Sequence, residues 1–236
     1  MNGADTIERL VGERRSCRAF LPRQVDEDTL ARMFALAQRT ASFCNTQPWQ
    51  VEVTRGEATA RFAAAYAREL EAGTPASDFP FPTAYQGIYG QRRRECARQL
   101  YESLGIAQGD RPASRQQALR NYALFDAPHV AIITSDSQLG VYGAIDCGGY
   151  LAHILLIAQA LGLGAIAQGA LATHAAFVRR HFGLDESRRV VCGISFGYAD
   201  LDAPANAFKT SRAAVEDTVR WHGGTAVENS LSRLCE

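Results

Sequence analysis

The sequence predicts an α+β fold in a single domain spanning residues 1–236. Three observations carry that expectation. Apolar residues recur at helical spacing in stretch after stretch, the strand-like runs are few and far apart in the chain, and no repeat, linker or composition shift divides it. At 236 residues with 47% hydrophobic content, the chain can bury a substantial core.

Asp5 reads as an N-cap, and Ile7, Leu10 and Val11 recur at helical spacing, so a short helix runs into Arg14-Arg15-Ser16-Cys17-Arg18. Asp26-Glu27-Asp28 opens a second helix with an acidic first turn and an apolar face of Leu30, Met33, Phe34 and Ala37. The polar loop Ala41–Trp49 leads into Gln50–Val53, which alternates like a strand, and Thr59–Leu70 is an alanine-rich helix. Gly73–Gly90 is long, irregular and aromatic, with Pro75, Pro80, Pro82, Phe79, Phe81, Tyr85 and Tyr89; it is either a binding lid or a linker packed on its own domain. Arg92-Arg93-Arg94 starts the next helix, as a solvated turn or as a second phosphate site.

A further helix is expected over Pro112–Phe125, a buried strand over Pro128–Thr134 with His129 hydrogen-bonded in the core or at its edge, and the longest helix over Tyr142–Leu161. That helix is apolar nearly all round, so it must be covered on every side, as a central helix or a subunit interface, with His153 buried and satisfied. Gly162–Gly169 and Val190–Tyr198 read as strands, Thr173–Phe182 as a helix, and Val215–Trp221 as strand-like before a polar tail. The apolar run Tyr150–Ala167 is short and interrupted for a membrane span.

Basic and acidic residues both number 25, which argues against a nucleic-acid or acidic-membrane surface. The six cysteines form no zinc spacing or C-x-x-C pair, so reduced thiols and no metal are expected. The first ten residues carry no signal-peptide pattern, and a cytoplasmic location is the default.

Arg14–Arg18 concentrates three guanidiniums and a hydroxyl, donors that match phosphate oxygens; a solvated helix end is the competing reading. Phe208-Lys209-Thr210-Ser211-Arg212 is a second compact basic group containing the only lysine in the chain. Pro48-Trp49 either closes a ligand loop or merely anchors a strand edge.

Taken in order, Arg14-Arg15-Ser16-x-Arg18, the loop with Ser42, Asn45, Gln47, Pro48 and Trp49, the Ala167–Gly169 segment and Lys209–Arg212 resemble the nitroreductase family over nearly the whole length. The chain departs from the family pattern at Ala41 and Ala167, where proline is usual or frequent. The resemblance implies a mainly antiparallel central sheet flanked by helices, in an intertwined homodimer with FMN at each subunit interface. It places Arg14, Ser16 and Arg212 on the FMN phosphate with Lys209 in the same cluster. It places Arg15 and Arg18 along the ribityl chain and pyrimidine edge, and Ser42, Phe43 and Asn45 against the isoalloxazine ring. Ala167, Gln168 and Gly169 fall by flavin N5, where a backbone N–H can donate.

The implied activity is a two-step exchange in which NADPH or NADH reduces FMN and a planar nitroaromatic or quinone is then reduced at the same site. The flavin carries that chemistry, so no catalytic side chain is required. A reductase or dehalogenase of narrower substrate range, tuned by residues 73–110, and a non-catalytic FMN-binding module are the alternatives.

Overall fold

The computed structural model describes residues 2–223. Helix α1 (Gly3–Glu13) is capped by Asn2, whose side chain accepts from Asp5 N while the Asp5 carboxylate accepts from Asn2 N. Asn2 therefore holds the cap expected at Asp5, because a reciprocal capping box needs its acid three residues inside the helix. Asp26 caps α2 (Glu27–Ala37) by accepting from Thr29 N. Strand β1 (Gln50–Arg55) precedes α3 (Glu57–Ala72), α4 (Gly87–Ser103) and α5 (Arg111–Leu119). Then come β2 (His129–Asp136), α6 (Gly140–Ala160), β3 (Gly164–Gln168), α7 (Ala175–Phe182), β4 (Arg188–Gly197) and the single turn α8 (Val215–Thr218).

The four strands lie in the order β1-β2-β4-β3, every neighbour antiparallel. Strand period two sorts the side chains of β2 between two layers. Ala131 and Ile133 join Met33, Cys147, Tyr150 and Ile154 beneath α2 and α6. Val130 and Ile132 join Phe62, Tyr66, Phe177 and Val178 beneath α3 and α7. Buried on both faces, β2 carries the unbroken apolar run Val130–Ile133 at its centre, as such a strand must. His129 is buried as expected: Nε2 accepts from Val25 N, and Nδ1 meets Thr54 O.

Beyond the cap at Asn2, four expectations change. The helix expected to start at Arg92 begins at Gly87, within the segment read as irregular. The helix from Pro112 stops at Leu119; Leu124, Phe125 and Asp126 then take positive φ, a turn that drives Leu124 and Phe125 into the core. Of the strand-like Val215–Trp221, Val215–Thr218 instead forms α8, whose Glu216 and Asp217 suit a helical first turn, and the segment meets no strand edge among the described residues. His153 is exposed on the single chain, although its Nδ1 lies 2.7 Å from Thr40 Oγ1.

Helix α6 with its leading turn is long and apolar enough to cross a membrane by composition alone; of the residues expected to interrupt the apolar run, His153 and Gln159 lie within the helix, and Gly162, Leu163 and Gly164 fall beyond its end. Cys147, Tyr150, Ile154 and Ala158 pack it onto the sheet. Val141, Tyr142 and Ile145 are exposed on its other side, each about 60% accessible, and Gly148, Gly149 and Ala152 continue that face. The resemblance also implies that the segment after Trp221 reaches over a partner; all of that segment but residues 222 and 223 lies outside the described residues, as does Cys235, read as a reduced thiol.

Candidate functional site

The arginine cluster leaves α1 as extended chain and runs along the outer edge of the sheet. Ser16 bridges Ala165 in parallel, and Cys17 N donates to Ala165 O at 3.1 Å. Glycine at 164 admits this approach: a Cβ there would lie 2.8 Å from Cys17 Sγ and 3.0 Å from Ala199 Cβ.

Extended backbone alternates its side chains. Arg15 and Cys17 face one way, into a cleft of about 410 Å³ shared with Gln159, Leu163 and Leu201. There the Arg15 guanidinium donates to Asn206 O at 3.0 Å. Arg14, Ser16 and Arg18 face the other way.

The second basic group folds back onto this side. The Arg18 guanidinium carbon lies 5.5 Å from the Phe208 ring centroid. Burial, reinforced by the adjacent Arg212 charge, pushes the Arg14 pKa below its usual value, and burial does the same to Arg18. Arg14, Arg18, Lys209 and Arg212 have no ion-pair partner among the described residues. Arg14 beside Arg212, with Arg18 against the same returning segment and no carboxylate among them, is the donor set of an anion site and fits a phosphate group.

Asn206 holds the two basic groups in place. Buried to 2% exposure, it accepts from Arg18 N through Oδ1 at 2.6 Å and donates through Nδ2 to Ala19 O and Asp200 O. No local motif marks it in the sequence, because its side-chain partners are backbone groups from two other segments.

The outer edge of β3 carries the third predicted group. Since the Ala165 carbonyl points outward to Cys17, the next outward-facing residue is Ala167, which is exposed, as is Gly169. The Gln168 side chain points inward instead. Its amide donates to Asn121 O at 2.7 Å, and its oxygen accepts from Ser195 Oγ. What Gln168 can offer a ligand is its backbone.

Phe81 of the aromatic segment covers Gly169, its ring carbon Cε1 3.3 Å from where a Cβ would sit. The segment is tied down just before it. Asp78, nearly buried, pairs with Arg179 and accepts from Val190 N at 2.8 Å, while Ala76 N donates to Thr173 O.

Ser42, Phe43 and Asn45 lie elsewhere on the single chain, by the N-terminal end of α6. Phe43 N donates to the Asp146 carboxylate, and its exposed ring stacks on Tyr142 at 5.4 Å. Ser42 Oγ accepts from Gln47 N, and Cys44, Asn45 and Gln47 all hold positive φ, a strained loop over-determined by its surroundings. Trp49 supplies much of that constraint: it stacks on Tyr150 at 4.9 Å, and its Nε1 donates to Gln38, whose amide donates to Gln47. The strand-edge anchoring considered for Pro48-Trp49 is thus real, and it fixes the loop. Arg15 of the arginine cluster, by contrast, lines a cleft with Gln159 near the C-terminal end of α6. From Asp146 to Gln159 the helix rises about 20 Å.

Similarity to known proteins accords with this arrangement. The nitroreductase family model matches residues 11–198. The nitroreductase NfnB of Mycolicibacterium smegmatis is 35% identical over 219 residues, covering 92% of this chain and 93% of that protein. A 4-nitrobenzoate reductase of Pseudomonas putida is 28% identical, with 93% and 96% covered. Among solved structures, the FMN-dependent NfnB from Mycobacterium smegmatis in complex with NADPH superposes with a TM-score of 0.89 at 34% identity, over 94% of this chain and all of that one. The FMN- and NADPH-dependent NfnB from Sphigopyxis sp. strain HMH follows at 0.88 and 31%, with 92% and 99% covered. With its fold, its paired basic groups and these relatives in agreement, the chain belongs to the nitroreductase family.

Proposed function

We propose that this protein is an FMN-dependent oxidoreductase that moves hydride from NADPH or NADH to nitroaromatic or quinone acceptors in two successive half-reactions at one site. The observation that carries this reading is the convergence of Arg14, Arg18 and Arg212 beside the outer edge of β3. FMN, when bound, supplies the two-electron chemistry. The chain supplies position and charge: Arg14, Ser16 and Arg212, with Lys209 nearby, neutralise the phosphate. Arg18 lies further along the same strand toward Ala167. Backbone groups of Ala167–Gly169 would meet the flavin's reacting edge, and Phe81 covers Gly169 there. No side chain there is needed as acid, base or nucleophile.

The working unit is a homodimer. Ser42, Phe43 and Asn45 sit at the opposite end of α6 from the arginines, so one chain offers each half of the site at a different place. Antiparallel pairing of two α6 helices through Val141, Tyr142, Ile145, Gly148, Gly149 and Ala152 brings the loop of one protomer to the arginines of its partner. Small residues permit the close approach, and the apolar ones require cover. In that dimer Phe43 of one protomer and Phe81 of its partner are the aromatic side chains that would meet a planar acceptor, and a location in the cytoplasm accords with chemistry that draws on NADPH.

The test is spectroscopic. FMN-loaded protein under anaerobic conditions should bleach on addition of NADPH or NADH, and regain its colour when nitrobenzene or a benzoquinone is added. Failure to bleach with both nucleotides leaves only an FMN-binding module. Protein that cannot take up FMN refutes the reading altogether.

A further inference from the structure

The first turns of α4 carry Arg92, Arg93 and Arg94, which the flavin site does not use. Arg98, one turn further on, is neutralised by Glu95 and Glu102. Arg92, Arg93 and Arg94 are exposed and have no carboxylate partner among the described residues. Two of them line a cleft of about 300 Å³ together with Pro82, Thr83, Ala84, Tyr85 and Gly90.

The cleft is built rather than incidental. Gly90 is buried, and a Cβ there would lie 2.6 Å from Tyr85 O and 3.3 Å from Arg94 Nη1, so glycine lets the Pro82–Tyr85 turn close onto the helix. The Tyr85 ring lies under the Arg93 guanidinium at 5.2 Å, a cation–π contact that orients the fork. Gln86 provides no side-chain cap, so the first amides of α4 add their positive dipole end to the same place.

Position identifies the ligand. Phe81 touches Gly169 at the reacting edge, and the cleft starts at the next residue. Four residues of chain from Phe81 to Tyr85 reach at most about 14 Å. A donor whose nicotinamide lies over the flavin can extend its adenosine half across Phe81 into this cleft. A single-ring nitroarene is too short to do so, since Pro82, Thr83 and Ala84 intervene.

Resting on the proposed function, we infer that Arg93 and Arg94 bind the 2′-phosphate of NADPH and make the enzyme prefer it to NADH. A phosphate monoester offers a near-dianion with three acceptor oxygens to two guanidiniums; the 2′-hydroxyl of NADH offers neither.

The experiment uses FMN-loaded protein, wild type and Arg93→Gln/Arg94→Gln. Calorimetric titration with adenosine 2′,5′-bisphosphate and with 5′-AMP reads the phosphate contact without turnover; steady-state KM values for NADPH and NADH read it in the reaction. The wild type should bind the bisphosphate at least about tenfold more tightly than 5′-AMP. The double variant should lose about tenfold or more of bisphosphate affinity, with a matching rise in KM for NADPH that greatly exceeds the change for NADH. An unchanged bisphosphate affinity or an unchanged NADPH to NADH ratio overturns the inference. So does equal weakening of both nucleotides, or a loss confined to 4-nitrobenzoate relative to nitrobenzene, which would assign the cleft to an acceptor carboxylate. Wild-type protein that binds the bisphosphate but is bleached by neither nucleotide refutes the proposed function instead.

Discussion

Replacing Asn206 by alanine should cost both stability and flavin affinity, in amounts set by what its side chain holds. The amide makes three hydrogen bonds, to Arg18 N at 2.6 Å, Ala19 O at 2.9 Å and Asp200 O at 2.7 Å, in a place 2% exposed. At about 1 kcal/mol net per bond the loss is about 3 kcal/mol, rising toward 5 if the orphaned Arg18 N–H finds no water. The bond from Arg15 to the backbone carbonyl of residue 206 survives the change.

The flavin effect follows from the same bonds. Asn206 joins the chain leading to Phe208–Arg212 to the segment carrying Arg14–Arg18. Without that tie, binding FMN must order the returning chain, and two residues at about 1 kcal/mol each weaken affinity roughly thirtyfold. Urea unfolding measures the first quantity, and quenching of FMN fluorescence the second. Arg212→Ala separates the roles, since it should lose flavin with little change in stability. An Asn206→Ala protein with wild-type unfolding midpoint and wild-type FMN affinity would refute the reasoning.

Two further outcomes follow. Arg14→Ala and Arg212→Ala should each weaken FMN binding by roughly 10- to 100-fold through lost charge-assisted bonds, whereas Arg93→Ala should leave FMN affinity near wild type; equal affinity in all three, measured by equilibrium dialysis, would return the cluster to a solvated helix end. His129 should make stability depend on pH, because burial, with the Arg55 charge adding to it, lowers its pKa below the usual 6.5. The unfolded chain then takes up the proton first, so this contribution is present above about pH 6.5 and is lost as pH falls toward the lower folded value. His181 acts in the same direction, also mainly through burial. Thermal midpoints between pH 8 and 5 should fall for the wild type and fall less steeply for His129→Gln.

The basic motif is visible in the sequence because it is local: three guanidiniums and a serine fall within five residues. Its division is not. Only the extended path beside β3 shows that Arg15 turns toward Asn206 while Arg14, Ser16 and Arg18 face the other way. Gln168 illustrates the same limit, since Asn121 and Ser195, far apart in sequence, claim its side chain and leave only backbone for a ligand. The missed ends, at Leu119 and at Val215, arise where tertiary packing or a missing strand partner overrides local pattern.

The apolarity of α6 has the widest consequence, because it couples flavin binding to association. The sheet covers only one side of the helix, leaving Tyr142 and Ile145 at 59% and 60% exposure. The loop bearing Phe43 and Asn45 hangs from that same exposed face through Asp146 and Tyr142. In the proposed dimer, covering the face and completing the site are therefore one event, and a lone protomer retains the phosphate clamp without the loop that meets the ring. Anything that binds the completed site preferentially must also stabilise the pair. FMN should thus tighten the dimer by the same free energy that dimerisation adds to FMN binding, a reciprocity imposed by linkage rather than by any particular contact.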